Sequence, residues 1–205
     1  MTLLQLGATG LVGRHVLSLA LADPRVATVV APTRRSMPEH PRLTAPRVDF
    51  DSLPKQADWW KADALICTLG ITLGSVGSRE AFWRVDHDYP LAVARLARAQ
   101  GTPVYVLNSA IGANVRSRFF YNRVKGMLEQ DLIAEGFKSL TLARPGVISG
   151  HRYEFHLGER LLTLGLTAVG PLLPKRLRLN PAAHSINDFT LSRRKPCPWL
   201  NTTPS

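Results

Sequence analysis

The 205-residue chain predicts an α/β fold of three layers: a doubly wound parallel sheet in the order 3-2-1-4-5-6, covered by helices on both faces. Three observations predict it. Short apolar runs, the mark of strands buried on both faces, alternate with longer stretches of helical periodicity. A glycine cluster, Gly7-Ala-Thr-Gly10-Leu-Val-Gly13, stands between the first apolar run and the first helical stretch. The length suits one domain with a sizeable core and is too short for two large ones.

The elements follow in order. Residues 3–6 read as the first strand and 11–22 as the first helix, with 27–31 the second strand, 47–49 a short third and 64–67 the fourth. A long amphipathic helix is expected over 79–100, strand five over 103–107, a helix from near 119 that ends by Gly136, and strand six over 140–143. A sheet wound this way opens its ligand crevice at the carboxyl ends of the strands. Residues 1–180 form one domain in this reading, with 151–180 as a small cap over the substrate. The polar, proline-dotted remainder, 181–205, is expected to be loosely packed.

Composition narrows the class. Hydrophobic residues at 45% and charged residues at 20% are the proportions of a globular chain rather than a disordered one. The most apolar stretch, 161–173, is broken by Gly165, Gly170 and Pro171 and falls short of the ~20 residues of a spanning helix, so no transmembrane segment is expected. Met1 leads directly into an apolar run without a basic leader, and a cytoplasmic location is the expectation. Cys67 and Cys197 are read as free thiols, and the histidines lack zinc-type spacing, so no metal is expected. The net charge of +11 invites a nucleic-acid partner, but residues 141–205 hold nine Lys or Arg against three Asp or Glu without any reader motif. Specific nucleic-acid binding is therefore not expected. An anionic small molecule suits the charge equally well.

The glycine cluster follows a strand and opens a helix, the setting that a dinucleotide pyrophosphate requires. Gly7 permits the tight turn, Gly10 admits the phosphates to the backbone, and Gly13 lets helix and strand pack. Thr9, Leu11 and Val12 complete the turn, whose free amides and positive dipole end face the anion. About twenty residues on, where an NAD-selective site places Asp or Glu, stand Arg34 and Arg35. Two guanidiniums suit a 2′-phosphate, so NADP(H) is preferred and NAD(H) is the alternative. Asp49 is a candidate for the adenine amino group, although an acid at a strand end is commonly a turn cap. After strand four, Leu69 and Gly70 lie in a glycine-dotted loop suited to approach the cofactor's ribose and nicotinamide.

Tyr121-Asn-Arg-Val-Lys125 puts a phenol and an ammonium one turn apart on one helix face. A nearby ammonium favours the ionised phenol, which makes an acid of pKa about 10 usable near neutrality. Ser109, twelve residues before Tyr121, can hydrogen-bond the substrate oxygen that Tyr121 serves.

Together with Cys67-Thr-Leu-Gly-Ile-Thr, Ala81-Phe-Trp-Arg-Val-Asp86, Asn108-Ser-Ala-Ile-Gly-Ala113 and Ala143-Arg-Pro-Gly-Val-Ile-Ser-Gly150, these motifs resemble the atypical short-chain dehydrogenase/reductase superfamily. More narrowly the chain is similar to the Tat-interacting-protein-like oxidoreductases and their small bacterial relatives, within the NAD-dependent epimerase/dehydratase group of NAD(P)-binding Rossmann proteins. The resemblance covers roughly residues 3–175. It implies that Tyr121 is the acid/base, Lys125 the holder of the nicotinamide ribose and Ser109 the orienting hydroxyl, and that Pro145 and Gly146 meet the nicotinamide. The resemblance breaks at Val85-Asp86, where many relatives have Val-Asn, and again beyond about Pro181. The implied activity is carbonyl reduction or alcohol oxidation on a small molecule. The rivals are an NADP(H)-binding regulator with little turnover and an epimerase or dehydratase with tightly held NAD. Oligomeric state is left open, a homo-oligomer included.

Overall fold

The computed structural model describes residues 1–72, 74 and 77–145, and the backbone of 148–149, 180–181 and 190–193. Strand β1 (Thr2–Leu6) leads into α1 (Leu11–Ala22), then β2 (Thr28–Val30), β3 (Leu43–Thr44) and β4 (Ala64–Cys67). A long helical stretch follows: α2 (Arg79–Trp83), a π-helical turn over Arg84–Asp88, and α3 (Tyr89–Ala99). Then come β5 (Val104–Asn108), α4 (Phe120–Ala134) and β6 (Ser139–Arg144). Two short strands, β7 (Ile148–Ser149) and β8 (Asn180–Pro181), pair parallel apart from the main sheet.

The main sheet runs β3-β2-β1-β4-β5-β6, all parallel, as expected, and a further strand β9 (Thr190–Arg193) adds antiparallel to β6. That strand lies within 181–205, for which no element is expected from the sequence. The expected cap, 151–180, lies outside the described residues except at its last position, Asn180 in β8. The third strand differs from expectation. It forms at Leu43–Thr44, while Arg47 contributes a single bridge to Thr33. Pro46 ends the strand, because it has no N–H to give to the ladder.

Period-two alternation sorts the strands' side chains between two cores. Leu3, Val29, Ala64 and Val104 face α1, where Leu17, Ala20 and Leu21 pack on them. Leu4, Leu6, Leu65, Tyr105 and Leu107 face the other way, into a larger core with Val93, Ala94 and Ala97 of α3 and Leu128 and Leu132 of α4. Cys67 belongs to this core, and burial pushes its thiol up from the usual range. Both helix layers begin at the carboxyl ends of strands, which brings the loops after β1, β4 and β5 to one edge.

Candidate functional site

The turn after β1 is built as the glycines demand. Gly7 has φ +82°, and a Cβ there would lie 2.5 Å from the Leu69 amide nitrogen. At Gly13 a Cβ would lie 2.0 Å from the Gly7 carbonyl oxygen. These approaches draw β1, α1 and the loop after β4 together more closely than any side chain allows. The Gly10 amide donates to Gly7 O at 3.0 Å and the Arg14 amide to Gly10 O at 2.9 Å, which starts α1. Gly10 caps that helix without a side-chain hydrogen bond, and its first turn holds no acid. Thr9 and Gly10 are exposed and Leu11 and Val12 half-buried, leaving an electropositive helix start open to an anion. Inside, Gln5 Nε2 donates to Gly13 O at 2.7 Å and fixes the helix on the strand. This cradle fits a dinucleotide pyrophosphate.

At the end of β2, Thr33 is buried while Arg34 and Arg35 project into solvent. Thr33 Oγ1 accepts from the Arg35 amide at 3.1 Å and sets that corner. Asp49 uses Oδ1 to accept from the Asp51 amide at 3.0 Å, the turn-capping arrangement. Beside it Phe50 stacks on Tyr89 with ring centres 5.3 Å apart.

Thr68 hangs the loop after β4 on β1, donating its amide and its hydroxyl to Leu6 O at 2.8 and 2.9 Å. Leu69 packs on the core and Gly70 is exposed. Beneath this loop lies Lys125. Its Nζ stands 2.7 Å from Asp86 Oδ1, with the lysine side chain 4% exposed and the aspartate 0%. The ammonium lies 6.0 Å from the centre of the Tyr121 ring, so α4 does place phenol and ammonium together. Burial is the largest single influence and works against the charged lysine, but Asp86, Tyr121 and Cys67 together outweigh it and hold Lys125 above the usual lysine range, while burial pushes Asp86 up against the pull of Lys125. Tyr121 packs edgewise on Phe82 of α2 at 5.7 Å. Gly126 brings α4 against the preceding loop, since a Cβ there would meet Asn114 C at 2.4 Å.

Ser109 stands at the end of β5, its amide donating to Ala143 O at 2.7 Å. Its hydroxyl donates to Glu129 Oε1 at 2.5 Å. Arg144 grips the same carboxylate, Nε to Oε1 at 2.9 Å and Nη2 to Oε2. Pro145 is buried and its carbonyl accepts from the Ile111 amide at 2.9 Å. Gly146 lies outside the described residues.

Two partners escaped the sequence reading. Glu129 continues the Tyr121–Lys125 stripe at i+8, a spacing that could have flagged it. Asp86 drew notice only as a departure, and its contact with Lys125 crosses elements, which no local spacing announces. Asp86 sits in the π turn, where one extra residue widens the helix and turns Asp86 and His87 inward. His87 braces that turn on α4, its ring nitrogens 2.8 Å from Asp88 Oδ1 and 2.9 Å from Asp131 Oδ2.

No protein-family model matches the chain. Relatives do. "Protein fmp52, mitochondrial" of Emericella nidulans is 34% identical over 175 residues, 80% of this chain and 74% of that protein. The Eremothecium gossypii protein of the same name is 38% identical over 164 residues, 77% of this chain and 71% of that protein. The chain belongs to the FMP52 family. These relatives carry the FMP52 name and not that of the Tat-interacting proteins to which the motifs are similar. They are also named as mitochondrial, which corrects the expected cytoplasmic location. The apolar residues behind that expectation are β1 itself, buried in the sheet of this chain, so they report the fold and not an address.

Solved structures agree on the fold. MoeE5 in complex with UDP-glucuronic acid and NAD superposes with a TM-score of 0.61 at 19% identity, over 76% of this chain. The chain spans 58% of the length of MoeE5. A Saccharomyces cerevisiae short chain dehydrogenase/reductase has a TM-score of 0.62 at 15% identity, covering 89% of this chain and 85% of that one. The oxidoreductase ylbE of Lactococcus lactis has a TM-score of 0.60 at 21% identity, over 74% and 72%. This FMP52-family chain therefore has the Rossmann fold of NAD(P)-binding oxidoreductases and epimerases. Among its described residues, no helix is long and apolar enough to cross a membrane.

Proposed function

We propose that this protein is an NADP(H)-preferring oxidoreductase that interconverts a carbonyl and an alcohol on a small, anionic molecule. The observation that carries the reading is the buried Lys125 beside Tyr121, under the loop that meets the glycine turn. When bound, the nicotinamide supplies or accepts the hydride at the substrate carbon. Tyr121 gives its phenolic proton to the carbonyl oxygen in reduction and recovers it in oxidation. Lys125 contributes a fixed positive charge that favours the phenolate left behind. The amides at the start of α1 and the guanidiniums of Arg34 and Arg35 take the cofactor's phosphates. Leu69, Gly70 and Pro145 would line its nicotinamide end, a role the resemblance extends to Gly146, and Asp49 would serve the adenine side. The relatives' names support a mitochondrial setting for this activity.

The test is NADPH consumption against a panel of aldehydes, ketones and quinones, repeated with Tyr121→Phe. Turnover by the native protein and its loss by about 10²- to 10⁴-fold in the variant, with NADPH affinity retained, is the expected result. Native rates in the variant would sink the assignment of Tyr121. A second reading is a dinucleotide-binding regulator, because a fold does not fix a function. Binding without turnover across the panel would select it. An epimerase with retained NAD would instead show cofactor carried through purification and no net oxidation.

A further inference from the structure

We infer that Asp86 is a positioning residue, a carboxylate that holds Lys125 and the backbone of Ile71 in one buried node and so ties the lysine to the loop after β4. The inference rests on the oxidoreductase reading for what the node serves.

Among the described residues, two donors face Asp86. The Ile71 amide reaches Oδ2 at 2.8 Å, and Lys125 Nζ stands 2.7 Å from Oδ1. A carboxylate is acceptor-only and suits both, Oδ2 taking the Ile71 hydrogen bond and Oδ1 facing the ammonium as an ion pair without an aligned hydrogen bond, whereas an asparagine here has one acceptor oxygen and would turn its NH₂ toward an ammonium or an amide. The departure from Val-Asn to Val85-Asp86 is therefore matched to the surroundings. The loop lies directly over the pair. A Cβ on Gly70 would come within 3.3 Å of Asp86 Oδ1 and 3.4 Å of Lys125 Nζ. Loop and lysine thus take their places from the same carboxylate, and the loop cannot lift without stripping Asp86 of one of its partners.

The node also governs the lysine's charge. Facing Lys125 are Asp86 from the π turn, Tyr121 from its own helix and Cys67 from β4. Of these, Asp86 is the counter-ion, and a buried ammonium without one releases its proton rather than stay charged. Asp86 therefore acts on the proton transfer through Lys125, without touching substrate.

The deciding experiment follows the Lys125 Cε resonance by ¹³C NMR in the full chain, assigned by its loss in Lys125→Met. In the native protein the resonance should stay at its protonated position past the ordinary lysine value of about 10.4. In Asp86→Asn it should titrate at least one pH unit lower than in the native protein. NADPH affinity, read by fluorescence, should be flat from pH 6 to 9 in the native protein and should fall in Asp86→Asn with the same midpoint as the Lys125 titration of that variant. Added to Lys125→Met, Asp86→Asn should change affinity by less than twofold. A merely structural aspartate would lower the unfolding temperature but leave the affinity of the folded variant independent of pH. Unchanged titration in Asp86→Asn, pH-independent affinity, or additive losses would overturn the inference. Should Asp86→Asn fail to fold, the native titration decides, because a Lys125 that releases its proton below the ordinary range excludes the node. Native protein that binds NADPH with Lys125 charged but turns over nothing refutes the oxidoreductase reading and leaves the node standing.

Discussion

Ser109 donates its hydroxyl hydrogen to Glu129 Oε1 across 2.5 Å, and Arg144 donates to the same carboxyl group. The serine consequently presents lone pairs to the crevice, and its own proton is committed. It suits an alcohol, which has a proton to offer, better than a carbonyl, which has none.

Ser109→Ala should accordingly slow turnover much less than Tyr121→Phe. A lost neutral hydrogen bond of about 1 kcal/mol corresponds to roughly fivefold. Alcohol oxidation should suffer more than carbonyl reduction, and steady-state rates in the two directions check both statements. A loss as large as that of Tyr121→Phe would mean that the hydroxyl turns to the substrate during the reaction.

Glu129→Gln should loosen the junction of β5, α4 and β6. Hydrogen bonds to a charged group are each worth about 1.5–3 kcal/mol, and the 36% exposure of the Arg144 side chain argues for the lower part of that range. A fall of about 1–2 kcal/mol in unfolding free energy, measured in urea, is the expected result.

Gly13→Ala should damage fold and cofactor binding together, since the added methyl would sit 2.0 Å from the Gly7 carbonyl oxygen. Overpacking of this kind costs about 1–3 kcal/mol, occasionally more. A lower melting temperature with loss of NADPH binding is expected. Gly136→Ala has φ +71° but nothing near it, and it should cost only the left-handed backbone penalty of roughly 1–2 kcal/mol.

Replacing Arg34 and Arg35 with alanine should weaken NADPH binding about tenfold or more, the equivalent of one charge-assisted hydrogen bond, and leave NADH affinity unchanged. Parallel titrations with both cofactors decide it. Equal losses for the two would remove these arginines from any role in selectivity.

Stability should fall in alkali in a way traceable to one residue. Lys125 titrates above the ordinary lysine range when folded. Its contribution is complete below the unfolded value of about 10.4 and is lost as pH rises through the higher folded value. Urea midpoints of the native protein should drop over that window. Lys125→Met should start lower, because Asp86 is left buried without its partner, and should show a shallower decline.

How much was legible in the sequence follows from which interactions are local. The six-strand order could be read because doubly buried strands such as Ala64–Cys67 are continuous apolar runs, and the glycine turn because its steric needs fall on Gly7, Gly10 and Gly13 themselves. Tyr121 and Lys125 share one helix, so their spacing sufficed. The third strand was misplaced because two residues, Leu43–Thr44, are too few to show a period. Asp86 was not legible as a partner, and Glu129 only as the i+8 continuation of the Tyr121–Lys125 stripe. Each is a charge inside a helix, where a solvated face is the ordinary expectation, and each finds its partners on other elements.

The π turn at Arg84–Asp88 has a genetic corollary. Loss of a single codon within it would let the helix continue as regular α, with its hydrogen bonds intact, while rotating everything upstream by about 100° relative to α3. Phe82 would leave Tyr121, and Asp86 would leave Lys125. Such a protein would still melt cooperatively and show an ordinary circular-dichroism spectrum, yet its chemistry would be silenced by a one-residue deletion that no scan of point substitutions samples.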